Sequence, residues 1–337
     1  MDWKPIFSFT LLFLGGLLAA PLSGQSPSVG KTTKTVRAVA KPDYRVQVRN
    51  GIGFAVFEFG ESSSKNEIPI LYFHGTSSSK LEPLVVLEQI KKLKRTVIAF
   101  DRPGYGNSTL VEFRSLNDYD RWAQAKLFPA VEKVLGYRPQ KYDLVSVSGG
   151  ALYSLHTARA MPQQVRKLSV LSAGLFARPV GGEGKYEKAR RLAARRPRIA
   201  EMIVRAGKRN LDLTQSISSK KFSEPDRRFA ECNKELAKKL YQDATKCGAM
   251  GIVQDARLQL CDTSYAQPVP KQVLVEFWNG ACDNTVSNAS AKLLAERVGM
   301  ELNIIQNEGH LSSLPISFGQ SVLGGGSVAK TLATTEK

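Results

Sequence analysis

Apolar positions along this chain fall into two recurring patterns, short continuous runs and longer stretches at helical spacing. Tyr44 to Arg49 and Gly53 to Phe59 alternate with a period of two. Between them stands Asn50-Gly51, a pair suited to a tight hairpin, so two antiparallel strands are predicted. Ile68 to Phe73 is a continuous apolar run, as expected of a strand covered on both faces, and it ends in His74-Gly75-Thr76. Leu81 to Leu93 has helical spacing, and Thr96 to Phe100 is a second buried strand ending in Asp101-Arg102-Pro103-Gly104. The alternation continues with a helix over Leu116 to Leu135, a strand over Tyr142 to Val147 and a helix over Ala151 to Met161. Further strands are predicted over Val165 to Leu171, Val273 to Trp278 and Leu302 to Ile305. Strands alternating with helices specify an α/β fold, with a mostly parallel central sheet and helices on both faces.

One interval breaks the rhythm. From about Ala177 to Gln267 strand signals are missing and helical patterning dominates, although both flanks are core strands. An insertion of that kind predicts a helical cap over the ends of the sheet. The core is then expected in two parts, 44–176 and 268–337, with the cap over 177–267 between them.

The amino-terminal stretch reads differently again. Pro5 to Leu22 contains no charged side chain, follows Lys4, and runs into the small residues Ser23 and Gly24. A basic start, apolar middle and small-residue exit are the layout of an export signal over 1–24, followed by a linker over 25–43. A retained membrane anchor is the alternative, because such a run approaches the ~20 residues that span a bilayer. The expected location is periplasmic or secreted, or membrane-anchored through the amino terminus. Cysteine usage leaves two readings open. Cys232 and Cys247 could close a loop of about 15 residues, contributing ~3 kcal/mol, or all four cysteines could be buried free thiols. With three histidines and no CxxC pair, a zinc site is not expected.

The candidate chemistry centres on Ser146-Val147-Ser148-Gly149-Gly150. A buried strand runs into Ser148 and a helix begins immediately after it. So tight a reversal forces the serine into a strained backbone and requires small residues two before and two after, here Ser146 and Gly150. Such a serine is presented as a nucleophile, which needs a base to take its proton. Of three histidines, His310 follows the last strand, where a loop residue can reach the sheet's carboxyl edge. A carboxylate must orient that imidazole, and Asp283, after the penultimate strand, suits the role. The order Ser148, Asp283, His310 is that of one particular scaffold.

On these residues the chain resembles an α/β-hydrolase. Within that superfamily it is similar to members that combine a His-Gly-Thr turn (His74 to Thr76), an Arg-Pro-Gly-Tyr-Gly turn (Arg102 to Gly106) and a Ser-Gly-Gly elbow (Ser148 to Gly150). The resemblance covers about 44–315 and is weakest in the cap. It implies a Ser148-His310-Asp283 triad, an acyl oxyanion held by the main-chain N–H groups of Thr76 and Gly149, and no cofactor or metal. It implies ester or related acyl hydrolysis, with thioester and carbon–carbon bond hydrolysis as alternatives. Epoxide hydrolases and haloalkane dehalogenases of the superfamily place an aspartate where Ser148 stands. A binding protein that keeps the fold without turnover, and a structural cell-envelope protein, are the rivals from other classes.

Other polar residues read as structural. Asp101 suits the turn it opens, His156 suits packing in its helix, His74 suits support of the oxyanion loop, and Ser146 lies within the strand before the reversal. Forty-eight Lys and Arg against 30 Asp and Glu give a formal net charge of +18. From Glu183 to Lys246 there are 18 basic against 9 acidic residues. A solvated helix face accounts for this, while an anionic substrate or surface at the cap is the functional alternative. Without a recognition module or aromatic residues interleaved among the charges, nucleic acid is not an expected partner. A small acyl substrate is the expected one.

Overall fold

The computed structural model describes residues 43–59, 67–176, 184–209 and 222–324. The predicted leader and nearly all of the linker lie outside the described residues. The strands are β1 (Arg45–Arg49), β2 (Ile52–Phe57), β3 (Ile70–Phe73), β4 (Val97–Phe100), β5 (Tyr142–Val147), β6 (Val165–Leu171), β7 (Leu274–Gly280) and β8 (Leu302–Ile305). They form one sheet in the order β1-β2-β4-β3-β5-β6-β7-β8. β1 and β2 pair antiparallel through a hairpin whose tip, Asn50 (φ 52°) and Gly51 (φ 73°), is left-handed at both residues, as a tight turn of matching twist requires. β2 also runs antiparallel to β4, and every pairing from β4 to β8 is parallel.

The continuous apolar runs are explained by burial on both faces. In β3, Leu71 and Phe73 enter one core layer while Ile70 and Tyr72 enter the other. In β4 the same alternation sends Ile98 and Phe100 one way and Val97 and Ala99 the other. Each large apolar side chain so buried contributes about 1.5–3 kcal/mol relative to exposure.

The helices are α1 (Leu87–Leu93), α2 (Leu116–Trp122), α3 (Phe128–Leu135), α4 (Ala151–Ala160), the cap helices α5 (Gly184–Arg195), α6 (Pro197–Arg209), α7 (Glu224–Cys232), α8 (Lys234–Ala244) and α9 (Met250–Cys261), then α10 (Asn288–Val298) and α11 (Leu314–Leu323). Three departures from the sequence reading have local causes. The helix expected over Leu81 to Leu93 opens as a tighter 3-10 turn, Glu82–Val86, which carries Pro83. The helix expected over Leu116 to Leu135 is interrupted by a π-helical turn, Ala123–Leu127. Pro129 lacks an N–H and its ring would meet the carbonyl four residues back, so the preceding turn widens. Helix α11 was not among the expected elements, because its glycine and serines blunt the apolar period. It nevertheless seats Leu314 and Phe318 against Ile90 in the second core layer.

The cap has its own small core, in which Ala193, Ile203, Val204, Tyr241 and Ile252 pack with Tyr105 of the sheet domain. Buried charge also ties it down. Lys80, 1% exposed, reaches Asp101 at 2.9 Å in the sheet domain and Asp243 of α8 at 2.7 Å. The cysteine expectations need correction: all four are unpaired and exposed. Cys232 ends α7 and Cys247 follows α8, and that 11-residue helix, about 16 Å long, holds them apart. Among the described residues, no helix is long and apolar enough to cross a membrane.

Candidate active site

All the parallel strands deliver their carboxyl ends to one edge, and the candidate residues gather there. After Val147, in extended backbone, Ser148 turns to φ 47° and a 3-10 turn, Ser148–Gly150, leads into α4. A side chain with left-handed backbone is strained and is held only by its surroundings. Those surroundings are visible at Gly150, where an added Cβ would overlap the Phe73 carbonyl oxygen of the neighbouring strand. Ser148 is partly exposed, whereas Ser146 is buried within β5 with its hydroxyl 3.5 Å from the Ser169 carbonyl. The reversal therefore presents Ser148 and conceals Ser146.

Asp283 and His310 are brought together from the turns after β7 and β8. Asp283 Oδ2 lies 2.8 Å from His310 Nδ1. Its other oxygen accepts the N–H groups of Thr285 (2.7 Å) and Val286 (2.8 Å), which fix the carboxylate in place. Gly280 allows the two turns to approach, since a Cβ there would overlap the carbonyl oxygens of Glu308 and Gly309. The His310 main chain is gripped from both sides: Ser172 donates its hydroxyl to the His310 carbonyl at 3.0 Å, and Asp226 of the cap accepts the His310 N–H at 2.8 Å. Burial alone would lower the His310 pKa. The charge and hydrogen bond of Asp283, then the charges of Asp226 and Glu82, outweigh it and raise the pKa above the ordinary imidazole value. Among the described residues no hydrogen bond joins Ser148 Oγ to the His310 ring. In free enzymes such bonds are often long and tighten only around substrate.

Thr76 lies directly against the elbow, because a Cβ added to Gly149 would overlap Thr76 Oγ1. The loop carrying Thr76 is braced on several sides. Glu82 Oε2 accepts the Gly75 N–H at 2.9 Å, and Gln259 of α9 donates to Thr76 Oγ1 at 3.0 Å. Burial pushes the Glu82 carboxyl up to about 7, against the opposing pull of the Gly75 N–H, Ser78 and Arg102. His74 is buried, with Nδ1 2.8 Å from the Gly75 carbonyl and Nε2 accepting the Arg102 N–H at 3.3 Å. Burial and the nearby Arg102 hold its pKa well below normal, so His74 is a neutral brace for the loop. Arg102, 1% exposed, donates to the His74 carbonyl and to Asp255 of α9. Asp255 also accepts the hydroxyls of Tyr105 at 2.7 Å and Tyr153 at 2.6 Å. Asp101 accepts the Asn107 N–H, the turn chemistry its sequence context predicts, and it also pairs with Lys80, which that context does not indicate.

A second His-Asp pair, this one bonded to a serine, lies elsewhere. His156 Nδ1 lies 2.7 Å from Asp120 Oδ2, and its Nε2 lies 2.7 Å from Ser264 Oγ. The single hydroxyl proton of Ser264 is also contested by Asp262, and Ser264 has no left-handed backbone to present it. This chain ties α2, α4 and the turn Ser264–Ala266 together, in keeping with the packing role expected of His156.

Sequence reasoning did not single out Glu82, Ser172, Asp226, Asp255 or Gln259. Only Ser223-x-x-Asp226 carries a local signal, the pattern that opens helices, and it is silent about the loop Asp226 meets.

A family profile described as the alpha/beta hydrolase family matches residues 70–317. The chain belongs to the alpha/beta hydrolase family. No curated protein matches it. Among solved structures, this hydrolase is similar to an enol-lactonase from Burkholderia xenovorans, at 12% identity and a TM-score of 0.58, covering 83% of this chain and 98% of the other. It is similar to a thermophilic esterase from Thermogutta terrifontis, at 19% identity and a TM-score of 0.56, covering 84% and 98%. It is also similar to epoxide hydrolase A from Mycobacterium thermoresistibile, at 15% identity and a TM-score of 0.55, covering 84% and 98%. At these identities the likeness is one of fold, and chemistry must be argued from the site.

Proposed function

We propose that this hydrolase cleaves an ester or related acyl bond through an acyl-enzyme on Ser148. The observation that carries the reading is the Asp283–His310 pair, joined at 2.8 Å on the sheet edge where Ser148 holds its left-handed turn. In the proposed reaction Ser148 Oγ attacks the substrate carbonyl carbon and its proton passes to His310 Nε2. Asp283 keeps the ring oriented and stabilises its charged form. The main-chain N–H groups of Thr76 and Gly149 receive the oxyanion. The leaving alcohol then takes the proton from His310. Water attacks the acyl-enzyme and gives a proton to the same nitrogen, which passes it to Ser148 Oγ as the acyl–oxygen bond breaks, releasing the acid and restoring the serine hydroxyl.

The solved lactonase and esterase relatives agree with acyl chemistry, while the likeness to an epoxide hydrolase does not extend to an aspartate at the nucleophile position, which here is Ser148. We propose further that the enzyme acts outside the cytoplasm, on the strength of the apolar run Pro5 to Leu22.

The test is labelling by a fluorophosphonate together with hydrolysis of p-nitrophenyl acetate. Wild-type protein is expected to label and to turn over. Ser148→Ala is expected to do neither, with a loss of about 10⁴-fold or more. Equal labelling of the variant overturns the assignment. A panel of ester, thioester, lactone and amide substrates then ranks the bond types.

A further inference from the structure

Asp226 belongs to the cap, yet of the four hydrogen bonds its carboxylate accepts among the described residues, three come from the turn that carries His310. It is the third residue of α7 and is fully buried, at 0% exposure. Oδ2 accepts the His310 N–H at 2.8 Å and the Ser223 hydroxyl at 2.9 Å. Oδ1 accepts the N–H groups of Leu311 at 2.7 Å and Ser312 at 3.1 Å. Three consecutive main-chain donors thus converge on one carboxylate from a helix 84 residues earlier in the chain. The contact is too close for a side chain at Gly309, where a Cβ would overlap Ser223 Oγ and Asp226 Oδ2.

We propose that Asp226 is a positioning residue for the His310 base, so that docking of the cap and placement of the proton acceptor are a single event. The inference rests on the function proposed above. Its physical basis is that a buried N–H without an acceptor is costly, so the turn holds its conformation only while the carboxylate is present. The ring is aligned by Asp283, the His310 carbonyl by Ser172, and the His310 N–H by Asp226. Of these three only Asp226 comes from the cap. A cap fixed in this way is part of the catalytic framework.

The carboxylate has a second, electrostatic consequence. The charged groups acting on His310 are Asp283 from the β7 turn, Asp226 from the cap and Glu82 from the oxyanion loop. Each favours the imidazolium, and removing one negative charge favours the neutral ring that accepts a proton. Asp226→Asn also turns one acceptor into a donor that faces the main-chain N–H groups.

Purified full-length variants are compared by fluorophosphonate labelling rate and by p-nitrophenyl acetate kinetics across pH. For Asp226→Asn, kcat and labelling rate are expected to fall about 10–100-fold with KM changed little, as for a base displaced by about an ångström. The acid limb of its kcat/KM profile is expected to move to lower pH. Asp226→Glu keeps the charge but misplaces it, so its rate falls while its acid limb stays with the wild type. Gly309→Ala, which displaces the contact from the loop side, is expected to lower the rate similarly and carries the test if Asp226→Asn fails to fold. Asp226→Asn with wild-type rates and an unmoved acid limb, alongside an inactive Ser148→Ala, overturns the positioning role alone. An active Ser148→Ala overturns the underlying function instead.

Discussion

The chemistry proposed for Ser148, His310 and Asp283 derives from what touches them. The Asp283 carboxylate, with one oxygen held by two N–H groups, can offer only the other to His310 Nδ1. That fixes which ring nitrogen faces away from it. Asp283→Asn is therefore expected to leave the fold intact and lower kcat by about 10⁴-fold, since an amide can hold the wrong tautomer. Steady-state kinetics alongside circular dichroism checks this. The pH dependence follows from the same environment. His310 must be neutral to act as a base, and its pKa is raised, so kcat/KM is expected to fall as pH drops through a value above about 6.5. Activity half-lost only well below that pH would contradict the environment described. Glu82, pushed up to about 7, loses its charge over the same range and joins in shaping that limb.

At the scale of elements, buried charge joins the cap to the sheet domain at several places among the described residues. Asp226 of α7 meets the His310 turn, Asp243 of α8 meets Lys80, and Asp255 of α9 meets Arg102. Such pairs are weak sources of net stability, but breaking one strands its partner in a low dielectric. Lys80→Ala leaves Asp101 buried without its cation, so a loss of about 3–5 kcal/mol is expected in urea unfolding. A loss below about 1 kcal/mol would mean that water replaces the ammonium group. Close approach of elements matters as much. Gly280→Ala would force the Asp283 and His310 turns apart, and is expected to lower kcat more than it raises KM.

For the whole molecule, the notable property is where the positive charge lies. The formal charge is +18, and the outer face of α6 exposes Arg198, Ile199, Met202 and Arg205 side by side. Arg198 and Arg205, with Lys246, line a surface cavity of about 670 Å³ in which Glu201 is the acidic residue. Basic groups around exposed apolar side chains suit an anionic surface. On the alternative reading of the cap as a face for an anionic surface, full-length protein is expected to sediment with vesicles containing phosphatidylglycerol, and to be released at about 0.5 M salt, where charges are screened within a few ångströms. Sedimentation that ignores lipid charge would leave the face as ordinary solvated helix.

How far the chain could be read from its sequence follows from the range of the forces involved. Strand and helix periods, the Asn50-Gly51 hairpin and the serine reversal are local, so apolar pattern and turn chemistry were enough to place them. The same local signs singled out Ser148, Asp283 and His310 and the α/β fold. The π turn before Pro129 and helix α11 escaped, the first because a widened turn leaves no apolar signature, the second because small polar residues dilute its period. Which carboxylates matter was decided by tertiary structure alone. Asp226 serves a turn 84 residues away and Asp255 an arginine 153 residues away, and nothing local points to those partners: the helix-opening pattern at Ser223-x-x-Asp226 says only where a helix starts. Two His-Asp pairs exist, His310 with Asp283 and His156 with Asp120, and the left-handed backbone at Ser148 and the divided loyalty of Ser264 distinguish the serines near them. The reason is physical: periodicity is written along the chain, but burial and pairing are properties of the space that the folded chain encloses.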